Sequence, residues 1–467
     1  MDNNNQQREH LGSRLGFILL SAGCAIGIGN VWKFPYMAGQ HGGGMFVLIY
    51  LVFLAIMGIP VMTMEFAMGR AAQKSPAKLY QELEPKGSKW HIHGVVAWIG
   101  NIILMMFYTT VAGWLFRYFV DTATGTLVGK TAEEVSAAFG NMLSDPLPQT
   151  LYMLIAVVIG VVVCSFSLQK GLEKITKYMM LAMLFIMIGL AVNGFFMEGA
   201  GEGLAFYLLP SWDRVEAAGG IGQVVVGAMN QAFFTLSLGI GAMAIFGSYL
   251  KKERALLGEA INVAVLDTFV AICSGLIIFP AVFTYGADGA ENAYGPGLIF
   301  RILPNIFNSM PAPLGQIIGS LFFLFLSFAA LSTIFAVFEN IIACSRDLFG
   351  WSKRKACIIC GIGLAILSLP CVLGFNIFSG FAPFGDGSTI MDLEDFLVSN
   401  ILLPLGSVVF IAFCVSRYGW GWDSFVREAN EGKGLKIARW MRPYMTYVLP
   451  AIVLVFMVIG LVTFNYG

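Results

Sequence analysis

Residues 23–30 read Gly-Cys-Ala-Ile-Gly-Ile-Gly-Asn, inside an apolar stretch over 15–34. A helix of that length rises roughly 30 Å, enough to cross a bilayer. Glycine and asparagine are poor helix formers and leave backbone groups open. In hydrocarbon an open backbone is tolerated only where it lines a cavity or holds a ligand. The stretch therefore reads as a broken membrane helix with a binding site at its break. Carbonyls at the break, from Gly23, Ala25 and Ile26, join the Asn30 side chain as ligands for a hard cation. The opposing N–H groups and positive dipole end suit a carboxylate.

Ser237-Leu238-Gly239-Ile240-Gly241 repeats the pattern within a second apolar stretch, 219–249. Two glycine-interrupted membrane segments at matching places in two halves point to the binding site of a secondary transporter. Helix packing alone also recruits small residues. It would favour small-xxx-small spacing, and it gives no role to Asn30, Thr235 or Ser237.

Ionisable residues at membrane depth are rare and functional by default. Here they are Lys33, Glu65, Asp267, Glu339 and, near the end of the tenth apolar stretch, Asp395. Asp267 has no sequence-local basic partner, so it binds a proton or neutralises a cation. Nearby oxygen favours the cation: Thr235, and the run Ala329-Ala330-Leu331-Ser332-Thr333. Ser332 and Thr333 taken alone would read as hydroxyls bonded back to their own helix. Glu65 either works in the site or pairs with N–H groups freed by a broken helix. Gly27 and Gly29 leave space for an anionic group, and Tyr108 can donate a hydroxyl to it. With Leu104, Phe234, Ile240 and Val337 as an apolar wall, the ligand described is a neutral, hydrophobic amino acid.

The elements that must hold these residues are membrane helices. The chain is 57% hydrophobic and 12% charged, with zero net charge and a mean hydropathy of +0.77. A soluble domain carries about 25% charged residues. No nucleic-acid partner is implied, and the surrounding partner is membrane lipid. Eleven spans are predicted: 15–34, 45–68, 95–120, 151–166, 175–196, 219–249, 256–282, 315–342, 356–373, 393–415 and 444–464. Of the 28 Lys and Arg residues, 23 fall at the N-terminus and the even-numbered turns, four on the other side, and Lys33 within the first span. The positive-inside rule then puts the N-terminus in the cytoplasm and, with an odd count, the C-terminus outside. The outer loops 124–149 and 285–313 are candidate lids. Eight scattered cysteines read as small buried residues, and the Cys357–Cys360 pair lacks the second ligand pair that zinc needs. The first apolar run is full length, so no cleavable signal is expected.

The blocks Arg14-Leu15-Gly16-Phe17, 23–30, Trp32-Lys33-Phe34-Pro35-Tyr36, Gly42-Gly43-Gly44, Glu65 with Gly69-Arg70, Lys170-Gly171-Leu172-Glu173-Lys174 and Gln231-Ala232-Phe233-Phe234-Thr235-Leu236-Ser237-Leu238-Gly239 resemble the neurotransmitter:sodium symporter family, in particular its bacterial amino-acid members. The resemblance covers nearly the whole chain. It implies an all-α integral membrane protein of the LeuT type, a single transporter domain over 1–467. Two inverted five-span repeats, 15–196 and 219–415, would have unwound first and sixth spans, with 444–464 as an accessory span. It implies no enzyme and no obligate protein partner, but a sodium-coupled importer of neutral, hydrophobic amino acids working by alternating access in the cell (inner) membrane.

Two sodium ions are implied by the same resemblance. The first site would be Ala25, Asn30, Thr235 and Asp267 with the substrate carboxylate. The second would be Gly23, Ile26, Ala329, Ser332 and Thr333. The substrate pocket would be Cys24, Ala25, Gly27, Ile28, Gly29, Leu104, Tyr108, Phe234, Thr235, Ser237, Ile240, Thr333 and Val337. Lys33 with Asp395 would form the outer gate. Arg8 with Asp347, supported by Ser248 and Tyr249, would form the inner one. The Asp267 carboxylate would stand in for the chloride that animal members hold beside positions matched by Tyr50 and Gln231. Two departures are Leu11, where the family has tryptophan, and Leu181, where many members have a proline that unwinds the fifth span. The rival readings are a proton-coupled transporter, a sodium-dependent amino-acid receptor that moves little substrate, and an intramembrane enzyme, for which Asp386 lacks a partner aspartate at membrane depth.

Overall fold

The structure, a computed structural model, describes residues 11–285 and 298–462. Its regular elements are helical throughout. Among the described residues nine helices are long and apolar enough to cross a membrane. They are Gly44–Ala72, His91–Ala123, Pro146–Ser165, Gly171–Gly194, Leu256–Thr284, Leu314–Phe349, Lys353–Leu373, Ile390–Val415 and Met441–Val462. These are spans two to five and seven to eleven. Span one is a bent pair, Arg14–Ala25 and Gly29–Gln40, turning by 55° at its break. The sixth apolar stretch is two shorter helices, Ile221–Thr235 and Ala242–Gly247. Both breaks thus fall where the glycine runs put them.

Span eight, Leu314–Phe349, is the most enclosed of the nine and makes its most extensive contacts with span three. Span eleven lies at the rim, with Val455, Val458 and Val462 exposed. Large apolar side chains also face outward on spans four, five and nine, as hydrocarbon requires. Span eight runs seven residues beyond its predicted end at 342, because its last turns stay helical past the apolar window and close at Gly350 in the left-handed region.

Wide, π-type turns at Gly29–Lys33, Leu54–Gly58, Leu298–Ile302, Leu397–Leu402 and Tyr444–Val448 each end two residues before a proline: Pro35, Pro60, Pro304, Pro404 and Pro450. Proline has no N–H and crowds the carbonyl four residues back, and widening the preceding turn relieves both effects. Two of these turns flank the site, at Lys33 and at Leu402. Span five has no such device at Leu181, where the helix Lys174–Gly194 runs unbroken. The first candidate lid holds a capped helix, Ala132–Ser144, with a Thr131–Glu134 capping box. The second lies partly outside the described residues.

Candidate functional site

Span one loses its helical bonding after the Ile26 N–H, which still reaches the Ala22 carbonyl at 2.5 Å. The carbonyls beyond Ala22 are left for other partners. Ser332 Oγ of span eight donates to the Ile26 carbonyl at 3.0 Å, although it also reaches the Ala329 carbonyl of its own helix at 2.8 Å. Thr333 Oγ1 lies 3.4 Å from the carbonyls of both Gly23 and Cys24. All five residues expected at the second sodium site are buried and meet at one point of the span-one break.

A second cluster forms on the far side of the break. Asn30 Nδ2 donates to Asp267 Oδ1 at 2.8 Å and to the Asp267 carbonyl at 3.1 Å, while its Oδ1 accepts from the Gly27 N–H at 3.2 Å. Thr235, the last residue of its helix, donates to the same carboxylate at 3.2 and 3.3 Å. The Tyr50 hydroxyl stands 3.4 Å from Asp267 Oδ2. Gln231 Nε2 donates to the Gly29 carbonyl at 2.8 Å, tying the two breaks together. Asp267 is fully buried, and among the described residues the groups that reach its carboxylate are the neutral donors Asn30, Thr235 and Tyr50. A hard cation held by these oxygens would complete it.

Between the clusters lies a small cavity lined by Cys24, Ala25, Gly27, Gly29, Leu104, Tyr108, Phe234, Ser237, Thr333 and Leu403. The Tyr108 hydroxyl accepts from the Ile28 N–H at 2.9 Å. Gly27 is required by crowding: a Cβ there would overlap the Tyr108 and Thr333 hydroxyls. Four expected pocket residues lie outside the lining, one of them Thr235, whose hydroxyl turns to Asp267 instead. The Ile28 side chain is absent from the lining. Ile240 is carried away by the turn that follows Thr235, where Ser237, Gly239 and Gly241 all have positive φ, and it lines a separate cavity with Ile92, Val96 and Leu402. Val337, one turn beyond Thr333, is buried outside the lining. Leu403, which follows the wide turn of span ten, takes the wall position instead. No hydropathy signal separates it from its apolar neighbours.

At the span-six break, Glu65 accepts from the N–H of Gly239 at 2.6 Å and of Met243 at 3.2 Å. It clamps the freed backbone, the structural alternative raised above. Gly239 has φ +93°, and a Cβ there would run into the Leu403 carbonyl, so only glycine lets spans six and ten approach.

Both ends of the cavity are closed by contacts. At one end Lys33 Nζ lies 3.0 Å from both oxygens of Asp395 and 3.1 Å from Ser399 Oγ, which itself donates to Asp395 at 2.7 Å. The ammonium sits 3.9 Å from the centre of the Phe234 ring, part of the cavity wall. Ser399, one turn beyond Asp395, had no sequence signal beyond its spacing. At the opposite end Tyr249 donates to Glu339 at 2.7 Å, and the Leu11 N–H reaches the Tyr249 carbonyl. Leu11 is buried there. Arg14 pairs with Glu259 at 2.9 Å, and Glu173 accepts from the Gly12 N–H and the Ser13 hydroxyl. Asp347 accepts from the Ser75 N–H at 2.8 Å; its expected partner Arg8 lies outside the described residues. Ser248 bonds back to the Ile245 carbonyl. Arg70, fully buried, pairs with Glu428 at 2.6 Å. Glu431, then Glu428, hold the Lys252 ammonium above its usual range. Among the described residues no group of His, Cys, Asp and Glu suits a metal, and none of the eight cysteines is in a disulfide; seven of them are buried.

Two broken spans around a cavity, with carbonyl, hydroxyl and carboxylate oxygens gathered at the breaks and a closure at each end, have the architecture of a membrane transporter. The model of the sodium:neurotransmitter symporter family matches residues 8–141 and 136–466. A sodium-dependent transporter of Bacillus subtilis, YhdH, is 32% identical over 97% of this chain and 98% of its own length. Another, MJ1319 of Methanocaldococcus jannaschii, is 30% identical over 99% of this chain and 92% of its own. The crystal structure of MhsT in complex with L-phenylalanine superposes with a TM-score of 0.86 at 34% identity, covering 97% of this chain and 99% of that one. The chain belongs to the sodium:neurotransmitter symporter family. It is a multi-pass, sodium-dependent membrane transporter with the LeuT-type fold, not an enzyme.

Proposed function

We propose that the chain imports neutral, hydrophobic amino acids with two sodium ions, without chloride. The observation that carries this reading is the buried Asp267 carboxylate among Asn30, Thr235 and Tyr50, against the break of span one. One sodium would be held there, by the Ala25 carbonyl, Asn30, Thr235 and Asp267 together with the substrate carboxylate. The other would take the carbonyls of Gly23, Ile26 and Ala329 and the hydroxyls of Ser332 and Thr333. The amino-acid carboxylate would meet the first sodium and the Tyr108 hydroxyl, and its side chain would rest among Leu104, Phe234 and Leu403. Phenylalanine, bound in the MhsT structure, supports a large apolar side chain.

A fixed carboxylate beside Tyr50 and Gln231 supplies the negative charge that would otherwise call for chloride. The charge asymmetry of the loops supports a cytoplasmic N-terminus in the cell membrane, making Lys33–Asp395 the outer closure and Tyr249–Glu339 an inner one. Spans one, two, six and seven would rock against the others so that the closures open in turn. Labelled amino-acid uptake into proteoliposomes tests the reading. Accumulation should need an inward sodium gradient and persist when gluconate replaces chloride. Accumulation in choline would make the proton the coupling ion; tight binding without accumulation would make the protein a receptor.

A further inference from the structure

Glu394 stands next to Asp395 on span ten but faces the other way. It is only 4% exposed, and among the described residues no nitrogen or hydroxyl donor reaches either carboxylate oxygen. Its nearest polar neighbour is the Cys371 thiol of span nine, which in turn meets the Thr110 hydroxyl of span three. Thr110 is itself committed to the Met106 carbonyl. The carboxylates on the same helix are engaged elsewhere: Asp392 caps Thr389, and Asp395 holds Lys33. Among the described residues no charged group of spans three or nine acts on Glu394, and the thiol is the one polar side chain that does.

A buried carboxylate with only a weak thiol donor and no cation beside it is costly to hold, whereas the neutral acid is not. The helical turn of span ten that carries the Lys33–Asp395 pair also holds Glu394 buried against spans three and nine. The geometry points to Glu394 as a proton-binding site that is filled when the outer closure forms and emptied when it opens. On opening, the Glu394 O–H bond breaks and its proton passes to external water. On closing, the carboxylate takes a proton back and docks as a neutral acid. The closed form is therefore favoured at low external pH and loses ground as pH rises. This rests on reading Lys33–Asp395 as the outer closure.

The test uses the full chain in proteoliposomes and its own Cys24, which lines the cavity. A membrane-impermeant maleimide added outside modifies Cys24 only while the outer side is open. The ratio of the wild-type rate to that of Glu394→Gln cancels the thiol's own ionisation. That ratio should rise with external pH; a flat ratio overturns the proposal. Independently of any variant, dicyclohexylcarbodiimide, which attacks protonated carboxyls in apolar surroundings, should label Glu394 in peptide maps. The label should fall about tenfold per pH unit above its midpoint. No adduct at any pH also overturns the proposal. Lys33→Ala separates the two readings: if it leaves Cys24 modification unchanged, the assignment of the closure has failed rather than the role of Glu394.

Discussion

At the break of span six the Glu65 carboxylate accepts from two backbone N–H groups, whereas near the break of span one Asp267 accepts from an amide and two hydroxyls. Both carboxylates are fully buried. Backbone donors are fixed in direction and have nothing else to offer. Side-chain amides and hydroxyls can turn and present lone pairs to a cation, and Thr235 and Asn30 each carry an oxygen that can do so. Glu65 therefore clamps the fold, and on the proposed reading Asp267 holds an ion. The donor type, more than the burial of the acid, separates the two roles.

The comparison breaks most visibly at Asp267. Asp267→Asn removes the charge that would hold sodium but keeps the shape and much of the hydrogen bonding. Sodium-driven uptake should fall by about 100-fold or more, the scale of ~3 kcal/mol lost from a buried pair. Thermal stability without sodium should hold or rise, because a neutral amide costs less to bury. Uptake that returns when chloride is added would show the carboxylate standing in for an anion. A loss of folded protein with no change in sodium dependence would make Asp267 another Glu65.

Glu65→Gln should do the reverse. Its amide nitrogen would face an N–H, leaving one donor of the span-six turn unmet at a cost of about 2 kcal/mol. Thermal unfolding in detergent should shift downward, while the sodium dependence of the folded fraction stays within about threefold of wild type. Ser332→Ala comes next. It deletes one proposed ligand and leaves the Ile26 carbonyl in place, so the sodium needed for half-maximal uptake should rise about fivefold, near 1 kcal/mol. An unchanged sodium dependence would assign Ser332 to back-bonding with Ala329, the bland reading that its 2.8 Å contact allows.

Much of this was legible in the chain. Glycine runs cannot sustain a membrane helix, so both breaks were marked by composition, and Asp267 stood out because no basic residue shared its segment. Direction was harder to read. Ile240 sits three residues after Ser237, and the three positive-φ residues between 237 and 241 turn it toward spans three and ten. Leu403 reaches the cavity because a wide turn before Pro404 rotates it there. Glu65 had two readings because sequence shows a carboxylate without showing which donors will reach it.

The smallest expected effect lies at the Lys33–Asp395 closure, the outer one on the proposed orientation. Lys33 and Asp395 are both partly exposed, with side-chain exposures of 23% and 37%. An exposed pair of this kind contributes about 0–1 kcal/mol. The Lys33 nitrogen also contacts Ser399 and the Phe234 ring, which ties the closure to the cavity wall. Lys33→Arg offers two nitrogens to Asp395 in a planar fork and stacks better on Phe234. The closed state should gain slightly, seen as an uptake rate reduced about twofold with the sodium dependence unchanged. Lys33→Ala should open the cavity and raise external labelling of Cys24 by about fivefold, the equivalent of ~1 kcal/mol. The two variants thus move the outer side in opposite directions while Asp267 and Ser332 are left as they are. If either one shifted the sodium dependence as strongly as Ser332→Ala, the closure and the ion sites would be one device rather than two.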